Sequence, residues 1–264
     1  MESALEEIEF LALSSNRVEV LELLAAERYT RAELARETGA SQATLGRILG
    51  DFGDRSWIVR EGSEYTATAT GKLVAAGFTD LLEIVDAERK LRNIVSYLPV
   101  DALTFDVRRL AHATITTPSR TRPNAPLQRL LELLGDADSV RTVSHAFNEQ
   151  TLTVVEERTA ANDQSFTGVF SRPAIDALAD EPDLRRRLET LLEAEEATVG
   201  VVAEVPLAVM TVDDVVYLLL RDEQGILRAS VDTADPDVRA WADTVIDDYL
   251  ADATLLEVDA IDSD

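Results

Sequence analysis

Residues 30–52 read TRAELARETGASQATLGRILGDF, and their punctuation sets two helices and the turn between them. Thr30 stands where an N-cap is needed, and Glu33 three residues later completes a capping box. The first helix presents Leu34 and Ala35 to a core, and Gly39 supplies the left-handed conformation that ends it. Ser41 caps the second helix, whose buried face is Leu45, Ile48, Leu49 and Phe52 at helical spacing. Ala43, Gly46, Arg47 and Gly50 fall on its opposite face, with Gln42 and Thr44 near the exposed first turn.

Working outward, Ile8, Leu11, Val18, Leu21, Leu24 and Ala25 recur with the period of an amphipathic helix. Ser14, Ser15 and Asn16 are N-cap types that break this run in two. Downstream, Trp57-Ile58-Val59-Arg60 and Glu64-Tyr65-Thr66-Ala67-Thr68 are β-prone runs around Glu61-Gly62-Ser63, which predicts a hairpin. Thr70-Gly71-Lys72 starts the next helix. Two short helices joined by a Gly-containing turn and followed by a hairpin make a winged helix-turn-helix. Small exposed residues on the second helix let it approach base edges closely in a major groove.

The chain has 264 residues with 50 acidic and 25 basic side chains, a formal charge of −25. It has no cysteine, which excludes disulfides, thiolate metal sites and cysteine nucleophiles. No apolar run is long enough for a membrane span, and the acidic start MESALEEIEF is unlike a signal peptide, so a cytoplasmic location is expected. Lys72 and Lys90 are the only lysines; every other basic residue is arginine. An acidic, lysine-poor surface with few aromatic residues suits a haloarchaeal cytoplasm, where molar salt screens self-repulsion; an ordinary acidic protein is the alternative. Across residues 41–75, Arg47, Arg55, Arg60 and Lys72 balance Asp51, Asp54, Glu61 and Glu64. This segment is neutral inside an acidic chain and can meet phosphate.

Residues 5–75 resemble the winged-helix domain of archaeal transcriptional regulators, including the ArsR-like and TrmB-like groups. The resemblance is carried by LSSNRVEVLELL (13–24), the stretch 30–52 quoted above, and SWIVREGSEYTATATG (56–71). Haloarchaeal members commonly have glycine directly before the tryptophan, where this chain has Ser56. The resemblance implies a sequence-specific regulator that binds double-stranded DNA as a homodimer. Ser41, Gln42, Thr44 and Arg47 are expected to face the major groove, with Arg60 on the wing and Lys72 near phosphate. The rival reading is a non-enzymatic interaction module that docks on the transcription machinery, since some winged helices bind proteins.

The expected fold class is α+β: a winged helix-turn-helix over 1–76, a linker helix over 77–99 and a mixed α/β sheet domain over 100–264. Residues 78–98, FTDLLEIVDAERKLRNIVSYL, carry an apolar stripe of Phe78, Leu81, Leu82, Val85, Leu91, Ile94, Val95 and Leu98 up to Pro99. This stripe serves either as ordinary core or as a dimerisation helix. Beyond it, strand candidates at 113–116, 140–144, 166–170, 198–203, 208–212, 215–221 and 226–231 alternate with helix candidates at 127–134, 148–159, 174–179, 183–195 and 236–251. Asp213-Asp214 and Asp222–Gly225 read as turns. In order and length this half is similar to the effector domains of the same archaeal regulators, those of the methanogenesis and filament regulators in particular. TrmB-like proteins carry another type, related to phospholipase D folds.

Catalysis finds no support. Phospholipase D chemistry needs a histidine two residues before a lysine, and neither His112 nor His145 has one. No phosphate loop and no G-x-S-x-G elbow occur, and two distant histidines without cysteine make no zinc site. Asp213-Asp214 reads as a solvated turn, not a cation site, and no cofactor is expected. A metabolite or partner could act through residues at strand ends: Arg120 and Arg122 in the loop 118–126, His145, Arg172 and Glu204. The alternative is that these are surface arginines paired with the plentiful carboxylates.

Overall fold

Among residues 2–258, which the computed structural model describes, one unit runs to Asp86 and a second begins at Ala87. The first unit starts with α1 (Glu2–Ala12) and α2 (Ser15–Ala26). Ser14 does occupy the N-cap of α2, but its hydroxyl makes no cap bond. The corner is held instead by Arg17, whose Nη1 donates to the Phe10 carbonyl at 2.7 Å. Phe10 lies between the guanidinium groups of Arg17 and Arg55, at 4.0 and 3.9 Å from its ring centre, and packs edge-on against Phe52 and Trp57. Ile8, assigned to the apolar face from its spacing, is exposed; Leu11 and Phe10 make that contact.

Next come β1 (Tyr29–Thr30), α3 (Arg31–Thr38), α4 (Gln42–Asp54), β2 (Ile58–Glu61) and β3 (Glu64–Ala67). The capping box is complete: the Thr30 hydroxyl accepts from the Glu33 amide, and the Thr30 amide donates to the Glu33 carboxylate at 2.8 Å. Gly39 ends α3 with φ of 68°. The β2–β3 hairpin is the wing, and β1 adds to β3 as a third strand that the sequence did not suggest. A two-residue strand carries too little pattern to be seen.

The helix that Thr70-Gly71-Lys72 starts and the linker helix expected over 77–99 are one element, which ends earlier than expected: α5 spans Ala69–Leu91. It starts straight from the wing because the Thr68 hydroxyl accepts from the Gly71 amide at 3.1 Å, an N-cap bond outside the apolar stripe. It stops well before Pro99. The chain then forms 3₁₀ turns at Val95–Tyr97, Val100–Ala102 and Val107–His112, which bring Ile94, Leu98 and Leu110 into the core of the second unit.

The rest of the second unit runs β4 (Thr114–Thr116), α6 (Ala125–Asp136), β5 (Ser139–Ser144), α7 (Glu149–Ala160), β6 (Ser165–Ser171), α8 (Arg172–Ala179), α9 (Pro182–Glu193), β7 (Ala197–Val202), β8 (Val209–Val212), β9 (Val215–Arg221), β10 (Leu227–Thr233), α10 (Pro236–Asp252) and β11 (Thr254–Leu255). Every strand and helix read from the alternating pattern is present. The strands form one sheet in the order β11-β7-β6-β5-β8-β9-β10-β4. β5, β6 and β7 are parallel to one another and the remaining pairs are antiparallel.

Both faces are covered, which explains why β9 reads as the near-continuous apolar run VVYLLL. Val216, Leu218 and Leu220 face α10, with Trp241 and Ile246, in one core. Tyr217 and Leu219 face the other core, built with α6, α7, α8 and α9 through Leu130, Leu152, Ile175 and Leu188. Asp213, in the β8–β9 turn, accepts from the backbone amides of Asp138 and Ser139, and Asp214 pairs with Arg239. This acidic pair is structural.

Candidate nucleic-acid interface

Three local devices position α4. The Ser41 hydroxyl accepts from the Thr44 amide at 3.1 Å and lies 2.9 Å from the Thr44 hydroxyl, so these two side chains are engaged with each other. Leu45, Ile48, Leu49 and Phe52 are buried, as their spacing required. Arg31, from the first turn of α3, bonds the Gln42 carbonyl and lies against Gly46, where a Cβ would come within 2.7 Å of its Nη2. The sequence reading missed Arg31; its position just after a capping threonine looks like ordinary helix polarity.

The face left to solvent carries Ser41, Gln42, Ala43, Arg47 and Gly50 exposed, with Thr44 half-buried. Arg47 has no ion pair among the described residues. An Arg47–Asp51 pair at i, i+4 does not form, because Asp51 turns to Arg17 at 3.7 Å. On the wing, Arg60 is exposed, but its Nε donates to the Gly62 carbonyl at 2.9 Å and its guanidinium lies 5.4 Å from the Tyr65 ring centre. Lys72 is exposed on the first turn of α5. Arg28 pairs with Glu61 at the wing, and the Thr30 amide holds the Glu33 carboxyl below its usual range. Arg47 and Lys72 are therefore the exposed cations of this unit with neither an ion pair nor a side-chain hydrogen bond among the described residues.

The residues proposed as a ligand site in the second unit do not converge. Arg172 and Glu204 line one shallow cavity, beside Tyr249 and Asp252. His145 lines another, with Leu207 and Arg221. Burial, and then the charge of Arg221, push the His145 imidazole below its ordinary value, and its Nδ1 lacks a partner. Arg120 and Arg122 are exposed on the loop after β4 and line neither cavity. Strand ends were located correctly, but β6, β5 and β4 are not adjacent as a group, and sequence order concealed that. Among the described residues no helix is long and apolar enough to cross a membrane.

Comparison with known proteins divides the chain in the same way. Residues 5–90 match the family model of the HVO_A0261 N-terminal domain, and residues 123–252 match that of the methanogenesis regulatory protein FilR1, middle domain. No curated protein matches the chain. Among solved structures, the archaeal chromatin protein TrmBL2 aligns over 94% of this chain and 98% of its own, at 14% identity and a TM-score of 0.42. The phospholipase D family member Nuc from Salmonella typhimurium aligns over 55% of this chain and 99% of its own, at 10% identity and a TM-score of 0.44. ZitR from Lactococcus lactis covers 38% of this chain and 82% of its own, at 20% identity and a TM-score of 0.27. The chain is thus similar to the HVO_A0261 N-terminal domain over its first part and to the FilR1 middle domain over its second.

Proposed function

We propose that the chain is a sequence-specific, DNA-binding transcriptional regulator whose second unit senses a small molecule or partner. The observation that carries this reading is the free guanidinium of Arg47, exposed on a helix-turn-helix face with small and polar neighbours. Such a face enters a major groove, with Arg47 on a guanine edge or a phosphate and Lys72 on the backbone. Arg60 serves from the wing once its bond to the Gly62 carbonyl opens. The family of the middle domain, that of a methanogenesis regulatory protein, agrees with this role.

Two companions belong to the same proposal. Leu81, Leu82, Ile84 and Val85 stand exposed on α5, an apolar face that a second copy of the chain would cover in a homodimer reading two half-sites. The acidic, lysine-poor composition fits a haloarchaeal cytoplasm. The neutral charge of residues 41–75 favours the rival, a module docking on transcription proteins. Selection of sites from random duplexes in about 2–3 M KCl, where the Debye length is about 3 Å or less, separates the two. An enriched motif supports the regulator, and no enrichment supports the docking module. Sedimentation under the same conditions tests the dimer.

A further inference from the structure

The second unit contains a slot that none of the strand-end candidates lines. It opens between α6 and α7, over the sheet face formed by β5, β6, β8 and β9. Its position follows from the topology. β5 passes through α7 to its parallel neighbour β6, while on its other side β5 meets β8 antiparallel. β5 and β9 both end on this side of the sheet, and the crevice outside the carboxyl ends of strands is where sheet proteins hold ligands. The slot lies there, between Ser144 at the end of β5 and Arg221 at the end of β9.

Its walls are apolar and built. Leu127, Leu152, Met210 and Leu219 line it, with an aromatic side made by Phe166, Phe170 and Phe147. The Phe147 and Phe170 rings stack at 3.9 Å. Gly168 lies between Phe166 and Phe170 on β6, and a Cβ there would come within 2.7 and 2.5 Å of their respective rings, so its missing side chain makes room for them. The cavity is about 80 Å³. The inner part is narrower than the apolar cavity of about 150 Å³ that holds benzene in another protein. A short aliphatic chain fits it.

The polar groups at the mouth are unequal. The hydroxyls of Thr142, Ser144 and Thr151 donate to the carbonyls of Val209, Ala146 and Asn148, and Asn148 caps α7 through the Gln150 and Thr151 amides. Arg221 is the one charged residue lining the slot among those described. Its Nη1 donates to the Gly225 carbonyl at 2.8 Å, and no carboxylate pairs with it among the described residues, in a chain with twice as many acidic as basic side chains. The neighbouring Asp222 turns to Arg228 at 2.6 Å instead. A half-buried guanidinium over an apolar slot matches an apolar body ending in a planar anion.

We propose that this slot binds a slim apolar monocarboxylate, its body between α6 and α7 and its carboxylate on Arg221. The role of that acid as an effector rests on the regulatory reading above; its binding does not. Titration calorimetry on the full chain in about 2 M KCl tests it, with hexanoate against hexanamide. The acid should bind one-to-one with a dissociation constant below about 1 mM, and at least tenfold tighter than its amide. Arg221→Gln should bring the acid down to the amide, and Leu127→Trp, at a partly exposed position of the wall, should remove binding of both.

Failure of the acid to bind overturns the proposal, as do equal affinities for acid and amide. If either variant fails to fold, the ratio of acid to amide on the unaltered chain decides alone. Acid binding without any enriched duplex motif overturns the regulatory reading and leaves the site. An enriched motif with no acid binding does the reverse.

Discussion

On α4 the candidate contacts come from one stretch, Ser41 to Arg47, and all but the half-buried Thr44 are exposed. The slot of the second unit instead takes its walls from Leu127 on α6, Leu152 on α7, Phe170 on β6 and Leu219 on β9. A helix face is a local object: a cap, a period and a terminating glycine define it. A cavity at a sheet switch point is non-local, because strands distant in sequence must pair before it exists. The first kind of site can lose a side chain and keep its shape. In the second, the groups that line the site also hold the domain together.

The largest expected effect tests how the local unit is closed. Gly71 lies where α5 crosses the residue before β2, and an added Cβ would fall 1.9 Å from the Trp57 carbonyl oxygen. No rotamer relieves a clash with backbone, so α5 must shift away from the wing. Gly71→Ala is expected to cost about 3 kcal/mol of the stability of the first unit. Urea unfolding followed by Trp57 fluorescence measures it; a loss under about 1 kcal/mol would show that α5 is loosely seated.

Arg47→Ala comes next and tests the claim that a helix face can be altered without harm to its fold. The side chain is exposed and has no ion pair among the described residues, so the melting temperature should not change. Specific duplex binding should weaken by about 1–3 kcal/mol. A base-edge contact predicts relaxed discrimination at one operator position, and a phosphate contact predicts an even loss on all sequences. Unchanged affinity in the folded variant removes Arg47, and much of α4, from the interface.

In the second unit Tyr217 sharpens the contrast, since it both lines the slot and donates its hydroxyl to the Pro126 carbonyl. Burial pushes its phenol up from the ordinary value of 10 to about 12. The unfolded chain then ionises first as pH rises. This contribution to stability is complete below pH 10 and is lost as pH climbs toward 12. Between pH 9 and pH 11 the second unit should lose about 1.4 kcal/mol that Tyr217→Phe does not lose. Parallel pH profiles for the two proteins would show that the hydroxyl is not held in its neutral form.

The same contrast explains what the sequence made legible. Thr30, Glu33, Gly39 and Ser41 act on neighbours within a few residues, so the caps and the buried face of α4 were readable. Strands β5 to β10 were readable because each is a short apolar run between turns, but their order in the sheet was not. Periodicity left Leu81, Leu82 and Val85 as either core or a dimerisation face, and they are exposed; spacing marks a stripe and does not identify what covers it. For the slot, a faint signal existed in Arg221 at the end of an otherwise apolar strand and Asn148 shortly after the end of another. Its walls read as ordinary core, since nothing in an apolar pattern says that a gap remains.

The smallest effect concerns Ser56, between α4 and the wing. Its φ is 55°, in the left-handed region, where the Cβ of an L-residue crowds the following carbonyl oxygen at a cost of roughly 1–2 kcal/mol. The turn is held from both sides. The Ser56 amide donates to the Gly53 carbonyl, the Trp57 amide to the Phe52 carbonyl, and the Ser56 carbonyl accepts from the Thr68 hydroxyl at 2.8 Å. None of these bonds uses the Ser56 side chain, so they survive its change. Ser56→Gly removes the crowding but loosens the unfolded chain by roughly 0.5–1 kcal/mol. The net expectation is a gain of roughly 0.5 kcal/mol, read as a higher urea midpoint at unchanged slope. A net loss of stability would mean that the serine hydroxyl contributes more to the turn than its backbone conformation costs, and the first unit would then be less purely local than its caps suggest.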